Sequence, residues 1–190
     1  IVIYDVAGLF SAPRVWLEFS AMGAPDIRIL EGGGPKWRAE GRPLEGGSSR
    51  RKPAKFTPQF HPELVRDFDQ VKATLAAHKG GVDARPAGRF AGRDPEPRPG
   101  ARQGHMPGAK SLPATELVAK GTLKPVAELQ PLFAAAGLDL TQPIVTTCGS
   151  GVTASTLMLA LKLAGASDVA VYDGSWAEWG VRPDADVVKD

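Results

Sequence analysis

The only cysteine of the 190-residue chain, Cys148, opens the hexapeptide Cys148-Gly149-Ser150-Gly151-Val152-Thr153. It follows the apolar, β-branched run Ile144-Val145-Thr146-Thr147 and precedes a stretch, 153–164, that carries Leu157, Met158, Leu159, Leu161 and Leu163. A strand that turns through two glycines into a helix lets the backbone curl so that successive N–H groups converge. The positive end of the helix dipole points at the same place. Both effects favour an anion at the loop centre, where the Cys148 side chain sits, and a thiolate held there is a ready nucleophile. Without its context a lone cysteine reads as a buried structural thiol; the strand, glycine loop and helix around this one favour the nucleophile. Thr153 suits either an N-cap or a substrate contact.

Stepping outward, Ile144–Thr147 and Val169–Tyr172 are short apolar runs that suit buried parallel strands, with Gly165 ending the helix between them. This is βαβ logic and implies an α/β fold, a parallel central sheet flanked by helices. Helices are also expected over 63–78, 114–119 and 125–136, a short strand over 82–85, and a long Gly/Pro/Arg loop over 86–113. Hydrophobic residues make up 43% and charged residues 23%, an ordinary globular balance. A net charge of +2 gives no strong nucleic-acid footprint, despite a pI near 8.8. The basic cluster Arg50-Arg51-Lys52 lies in a Gly/Pro/Ser-rich stretch without an aromatic platform and reads as solvated linker. One cysteine excludes disulfide frameworks and multi-cysteine metal sites. No apolar run approaches ~18 residues, so no membrane span is expected. No secretory signal pattern opens the chain.

The sequence also repeats itself. The segment from Ile1 and the segment from Ile144 share an apolar run, a glycine-containing loop, a helical stretch, Gly-Ala-x-Asp and a second apolar run. Gly23, Asp26, Gly32 and Trp37 keep the mutual spacings of Gly165, Asp168, Gly174 and Trp179, and Asp5 falls where the later copy has Cys148. The expected organisation is a tandem duplication with an incomplete N-terminal copy. On this reading residues 1–45 are the rear part of one domain, 46–62 a linker, and 63–190 a complete second domain that carries Cys148. Ile1 then reads as a mid-domain strand with roughly 100 further residues upstream.

The loop Cys148-Gly149-Ser150-Gly151-Val152-Thr153 resembles the active loop of the rhodanese superfamily, most nearly that of the tandem-domain 3-mercaptopyruvate sulfurtransferases. Three further segments carry the likeness: 83–109, similar to the substrate-binding loop region, 172–180, similar to the final strand and turn, and 4–16, similar to an inactive loop with aspartate in the cysteine position. The resemblance implies that Cys148 takes sulfur from 3-mercaptopyruvate as a persulfide, releasing pyruvate. A thiol acceptor such as a thioredoxin-type protein, or cyanide, then collects it. It further implies that Ser150 relays a proton beside the thiol, where the bare sequence offers only turn chemistry. Gly149, Gly151, Val152 and Thr153 become the substrate-facing loop, and Arg89 and Arg98 bind the carboxylate and keto oxygen with their planar forks.

Arg85, Arg93 and Arg102 are expected to be structural or solvated, Arg85 pairing with Asp83 or a neighbouring carboxylate. Thiosulfate sulfurtransferases carry basic residues after the cysteine, and Gly149 and Ser150 stand there instead, which favours a monoanionic donor. The alternatives are a thiosulfate sulfurtransferase and a non-catalytic persulfide carrier. A phosphatase would need an arginine closing the loop, where Thr153-Ala154-Ser155 continues. His105 is expected to sit near the inactive loop, residues 5–14, in a structural or interdomain role, and His61 and His78 at the surface. No metal, organic cofactor, nucleic acid or membrane is implied, and a cytoplasmic location is expected.

Overall fold

The computed structural model describes residues 1–48, 52–77 and 80–190. Its centre is a five-stranded, wholly parallel sheet in the order β3-β9-β8-β4-β5. These strands are β3 (Val65–Arg66), β4 (Gly81–Asp83), β5 (Lys110–Ser111), β8 (Ile144–Thr147) and β9 (Val169–Tyr172). Every residue of β4, β8 and β9 is buried, as expected for strands covered on both faces.

Successive side chains of these strands enter opposite layers. Ile144, Val169 and Val171 pack with Leu129 and Phe133 of α5 (Val126–Ala135) and with Leu157 and Leu161 of α6 (Val152–Leu163). Val145 and Tyr172 face the other way, toward Phe68, Val71 and Leu75 of α3 (Phe68–Ala76) and Trp176 and Trp179 of α7 (Ser175–Trp179).

A smaller unit precedes this sheet: β1 (Val2–Ile3), α1 (Ala12–Ala21), β2 (Arg28–Ile29) and α2 (Gly33–Ala39), with β1 and β2 paired in parallel. It is joined to the larger sheet by α1 lying along α6, with Leu17 inside the common core. The described residues between α2 and the 3-10 turn at Pro62–Leu64 form neither helix nor strand. They are still tied back, since the Gln59 and His61 N–H groups donate to the Met22 and Ala21 carbonyls. Arg50, Arg51 and His78 lie outside the described residues; Lys52 is exposed and the His61 ring is half-buried against Glu63.

Three expectations need correction. The helix expected from residue 63 starts at Phe68, because Val65–Arg66 adds to the sheet edge beside β9 and Asp67 then caps the helix. The Asp67 carboxylate accepts from the Gln70 N–H at 2.9 Å, and the Gln70 amide oxygen accepts from the Asp67 N–H at 3.0 Å. The helix expected over 114–119 is only a 3-10 turn, Ala114–Glu116. The chain then enters a hairpin, β6 (Val118–Ala119) and β7 (Thr122–Leu123), turned by Lys120 and Gly121 with φ of 52° and 77°. The long loop 86–113 contains α4 (Ala87–Phe90) and the edge strand β5.

Among the described residues no helix is long and apolar enough to cross a membrane. The double hydrogen bond at Asp67 gives a direct test of what starts α3. Asp67→Ala should lower stability by about 1 kcal/mol, read from urea unfolding, with no effect on Cys148 reactivity.

Candidate active site

Cys148 leaves β8 at its carboxyl end, the side of an open parallel sheet where ligands characteristically bind. The loop that follows is held from outside by its carbonyl groups. The Trp176 and Ala177 N–H groups, at the start of α7, donate to the carbonyls of Cys148 and Gly149 at 2.9 and 3.0 Å. The Ser155 N–H and hydroxyl both donate to the Gly151 carbonyl, at 3.2 and 2.8 Å. With these carbonyls committed outward, the Ser150 N–H is left to donate to Cys148 Sγ, at 3.4 Å.

Ser175 fixes the entry to the loop. Its hydroxyl accepts from the Cys148 N–H at 3.3 Å and donates to the Tyr172 carbonyl at 2.8 Å. Ser175 is fully buried and sits at φ 50°, a left-handed conformation that non-glycine residues adopt at a cost. Gly151 caps α6 at φ 81°.

Cys148 is 2% exposed and forms part of the wall of a cavity of roughly 280 Å³. Opposite walls come from the end of β4 and α4 (Ala84, Arg85, Pro86, Arg89), from Pro113 to Thr115, and from Phe10 of the N-terminal unit. A larger cleft of roughly 450 Å³, between β2, α1 and α6, is lined mainly by apolar side chains and does not include Cys148. Among the described residues no group of three or more His, Cys, Asp or Glu side chains is placed to hold a metal ion.

Two arginines stand at the wall. Arg85 is 1% exposed, and each of its nitrogens is committed: Nε to Asp83 at 2.8 Å, Nη1 to Glu96 at 2.7 Å, Nη2 to the Gly104 carbonyl at 2.8 Å. Its guanidinium also lies 4.1 Å from the Trp176 ring centre. Arg89 is more open and pairs with Glu96 at 2.5 Å.

A family model described as a rhodanese-like domain matches residues 67–181. The chain belongs to the rhodanese-like family. The chain is 45% identical over 186 residues to rat 3-mercaptopyruvate sulfurtransferase, covering 96% of this chain and 63% of the relative. To the Escherichia coli K12 protein of that name it is 42% identical over 190 residues, covering 98% and 67%. To chicken thiosulfate sulfurtransferase it is 40% identical over 183 residues, covering 94% and 63%. Among solved structures, the SseA 3-mercaptopyruvate sulfotransferase of E. coli superposes with a TM-score of 0.82 at 38% identity, over 92% of this chain and 66% of that one. The chain therefore spans a little under two thirds of the rat and chicken relatives' length.

In this rhodanese-like chain the structure brings Cys148, Gly149, Ser150, Val152, Thr153 and Arg89 to one cavity. Gly151 lies behind the loop and does not line it. Arg98 is exposed on the loop after α4 and is also absent from the cavity wall. His105 is buried, in the structural setting expected of it. Its Nδ1 lies 2.9 Å from the Phe90 carbonyl, its ring stacks on Phe90, and its backbone pairs with Val188. The C-terminal strand-like segment takes it there, an element that the repeat pattern did not include.

Several side chains went unforeseen at this site. Phe10 and Arg14 arrive from the N-terminal unit. The Asp5 carboxylate accepts from the N–H groups of Ala7, Phe10, Ser11 and Ala12 at 2.8–3.0 Å, and so shapes the loop that presents them. Burial alone would raise the Asp5 carboxyl; the four backbone hydrogen bonds outweigh it and hold it below the ordinary range. Arg14 pairs with Asp173 at 2.5 Å and Glu18 at 2.8 Å. These partners keep Arg14 charged against the cost of its partial burial.

Two predictions follow from this geometry. A Cβ on Gly151 would lie 2.6 Å from Arg14 Nη1, whereas one on Gly165, at φ 100°, would meet nothing within 4 Å. Gly165→Ala should therefore cost only the backbone strain, about 1–2 kcal/mol. Gly151→Ala carries the same strain and also pushes the Arg14 guanidinium off Asp173, so it should in addition change the alkylation rate of Cys148. Asp5→Asn should lower the melting temperature at neutral pH. A carboxyl held low in the folded state stabilises above its ordinary value and loses that effect as pH falls through its lowered one. The gap between Asp5→Asn and the unsubstituted chain should therefore close as the pH drops below about 4, measured by melting temperature against pH.

Proposed function

We propose that the chain carries the catalytic centre of a sulfurtransferase that moves sulfane sulfur from 3-mercaptopyruvate through a persulfide on Cys148. The observation that carries this reading is the juxtaposition, in one cavity, of the only thiol and the Arg89 guanidinium. The names of the rat and E. coli relatives support the choice of donor.

The Cys148 thiolate attacks the sulfur of the donor. The carbon–sulfur bond breaks, its electron pair passes into the enolate of pyruvate, and that enolate takes up a proton. Cys148 is left as Cys–S–SH. In a second step an acceptor thiolate attacks the outer sulfur, carries it away as a persulfide, and returns the Cys148 thiolate. Two sulfur anions must be held in turn at one point, and backbone N–H groups serve both without reorganising. The Ser150 N–H beside Sγ and the start of α6 supply them. The Ser150 hydroxyl, on a residue at the exposed rim of the loop, passes the proton in this reading. Arg89 takes the donor's carboxylate. A thioredoxin-type dithiol or cyanide serves as acceptor.

Thiosulfate is the second donor to weigh, because the chicken relative is named for it. Gly149 and Ser150 bring no charge to the loop, so the monoanionic donor is favoured over the dianion.

Incubation with 3-mercaptopyruvate should add about 32 Da to Cys148, one rung of reversible thiol chemistry, and release pyruvate catalytically once a dithiol is supplied. Cys148→Ser should abolish both. Turnover that survives Cys148→Ser would overturn the proposal, and a stable adduct without turnover would make the chain a sulfur carrier.

A further inference from the structure

We infer that Glu96 is a positioning residue for carboxylate recognition at this site, holding Arg89 against the cysteine loop. This deepens the sulfurtransferase reading and rests on it for the identity of the donor.

Glu96 is the third member of a linear chain of alternating charge, Asp83–Arg85–Glu96–Arg89. Asp83 is fully buried, and the Arg85 and Glu96 side chains are 1% and 3% exposed. Arg89, at 21%, is the most exposed of the four and lines the cavity. Glu96 uses one oxygen on Arg85 Nη1, at 2.7 Å, and on Arg89 Nε, at 3.3 Å. The other oxygen takes Arg89 Nη2 at 2.5 Å. Arg89 is thus gripped along its Nε/Nη2 edge, and among the described residues Nη1 has no hydrogen-bond partner.

A guanidinium gripped on one edge can still offer the Nη1/Nη2 end to a second carboxylate in paired fashion. Nη2, shared by the two edges, lies against the loop: a Cβ on Gly149 would lie 3.3 Å from it. Arg85 also reaches the wall, but its three nitrogens are already bound, so it anchors Glu96 and leaves recognition to Arg89.

The local sequence suits this task. Glu96 lies between Pro95 and Pro97. Proline fixes its own φ and restricts the residue before it, so Glu96 is presented by a stiff segment. Long side chains lose rotamer entropy on binding. An arginine already ordered by Glu96 meets the donor with that cost largely met by folding, which is preorganisation.

The test uses two α-bromoketones that alkylate Cys148 with loss of bromide: bromopyruvate, which bears the carboxylate, and bromoacetone, which has a methyl group in its place. Glu96→Gln should cut the bromopyruvate rate by about 100-fold, the scale expected for a misplaced binding group, and leave the bromoacetone rate unchanged. Arg89→Ala should reproduce this loss, and adding Glu96→Gln to it should change nothing further, since both act through one contact. With 3-mercaptopyruvate the loss should appear in KM more than in kcat.

An unchanged rate ratio, an equal loss with both reagents, or a full additional loss on top of Arg89→Ala would overturn the inference. If Glu96→Gln does not fold, Glu96→Asp replaces it. That variant leaves a charge for Arg85 but is one methylene too short to hold both guanidiniums, and the same ratio is read. The two proposals fail separately. Absence of a persulfide in the unsubstituted protein sinks sulfur transfer, whereas the bromoketone ratio reports on Glu96 whether or not sulfur moves.

Discussion

The site depends on one constraint: the carbonyl groups of Cys148, Gly149 and Gly151 are engaged from behind the loop. A peptide that turns its C=O one way turns its N–H the other. By binding the Cys148 and Gly149 carbonyls, the first amides of α7 decide which way the loop's donors point. Ser155 does the same for Gly151 from within α6. The anion-stabilising character of the loop is therefore a property of two helix beginnings and a buried serine, and not of the hexapeptide alone. Ser175, left-handed and fully buried, is where the backbone bears strain to make this fit.

The N-terminal unit shows the same idea with the charge built in. There four N–H groups converge on the carboxylate of Asp5, a permanent anion where the later loop has a thiol. This cradle is filled by its own side chain, and its effect on the chain around it is structural. It sets residues 6–12 so that Phe10 reaches the cavity and Arg14 reaches Asp173. The two units thus meet at one cavity, one supplying the thiol and the other part of the wall.

The parts of the fold legible in the sequence were those with strong periodicity. Ile144–Thr147 and Val169–Tyr172 were placed to the residue because continuous β-branched and apolar runs bounded by loops have few other readings. The cysteine loop and Arg89 came from the family likeness laid over glycine geometry. What escaped was decided by contacts remote in sequence. Val65 and Arg66 are strand only because β9 offers an edge, so their pattern merged with the helix behind them, although Asp67 and Gln70 carried a readable capping signature. Glu96 looked like a loop residue between two prolines, since nothing local shows that Arg85 and Arg89 converge on it. Arg14 was hidden for the same reason: its partner Asp173 is 159 positions away.

The depth of Cys148 restricts what can react with it. Only 2% of the residue is open, in a cavity of roughly 280 Å³ walled by Phe10, Arg89 and Thr115. A thiol at that depth is met by reagents small or slender enough to enter, and a broad protein surface is held off by the rim. The recess thus sorts reagents by shape before their chemistry comes into play.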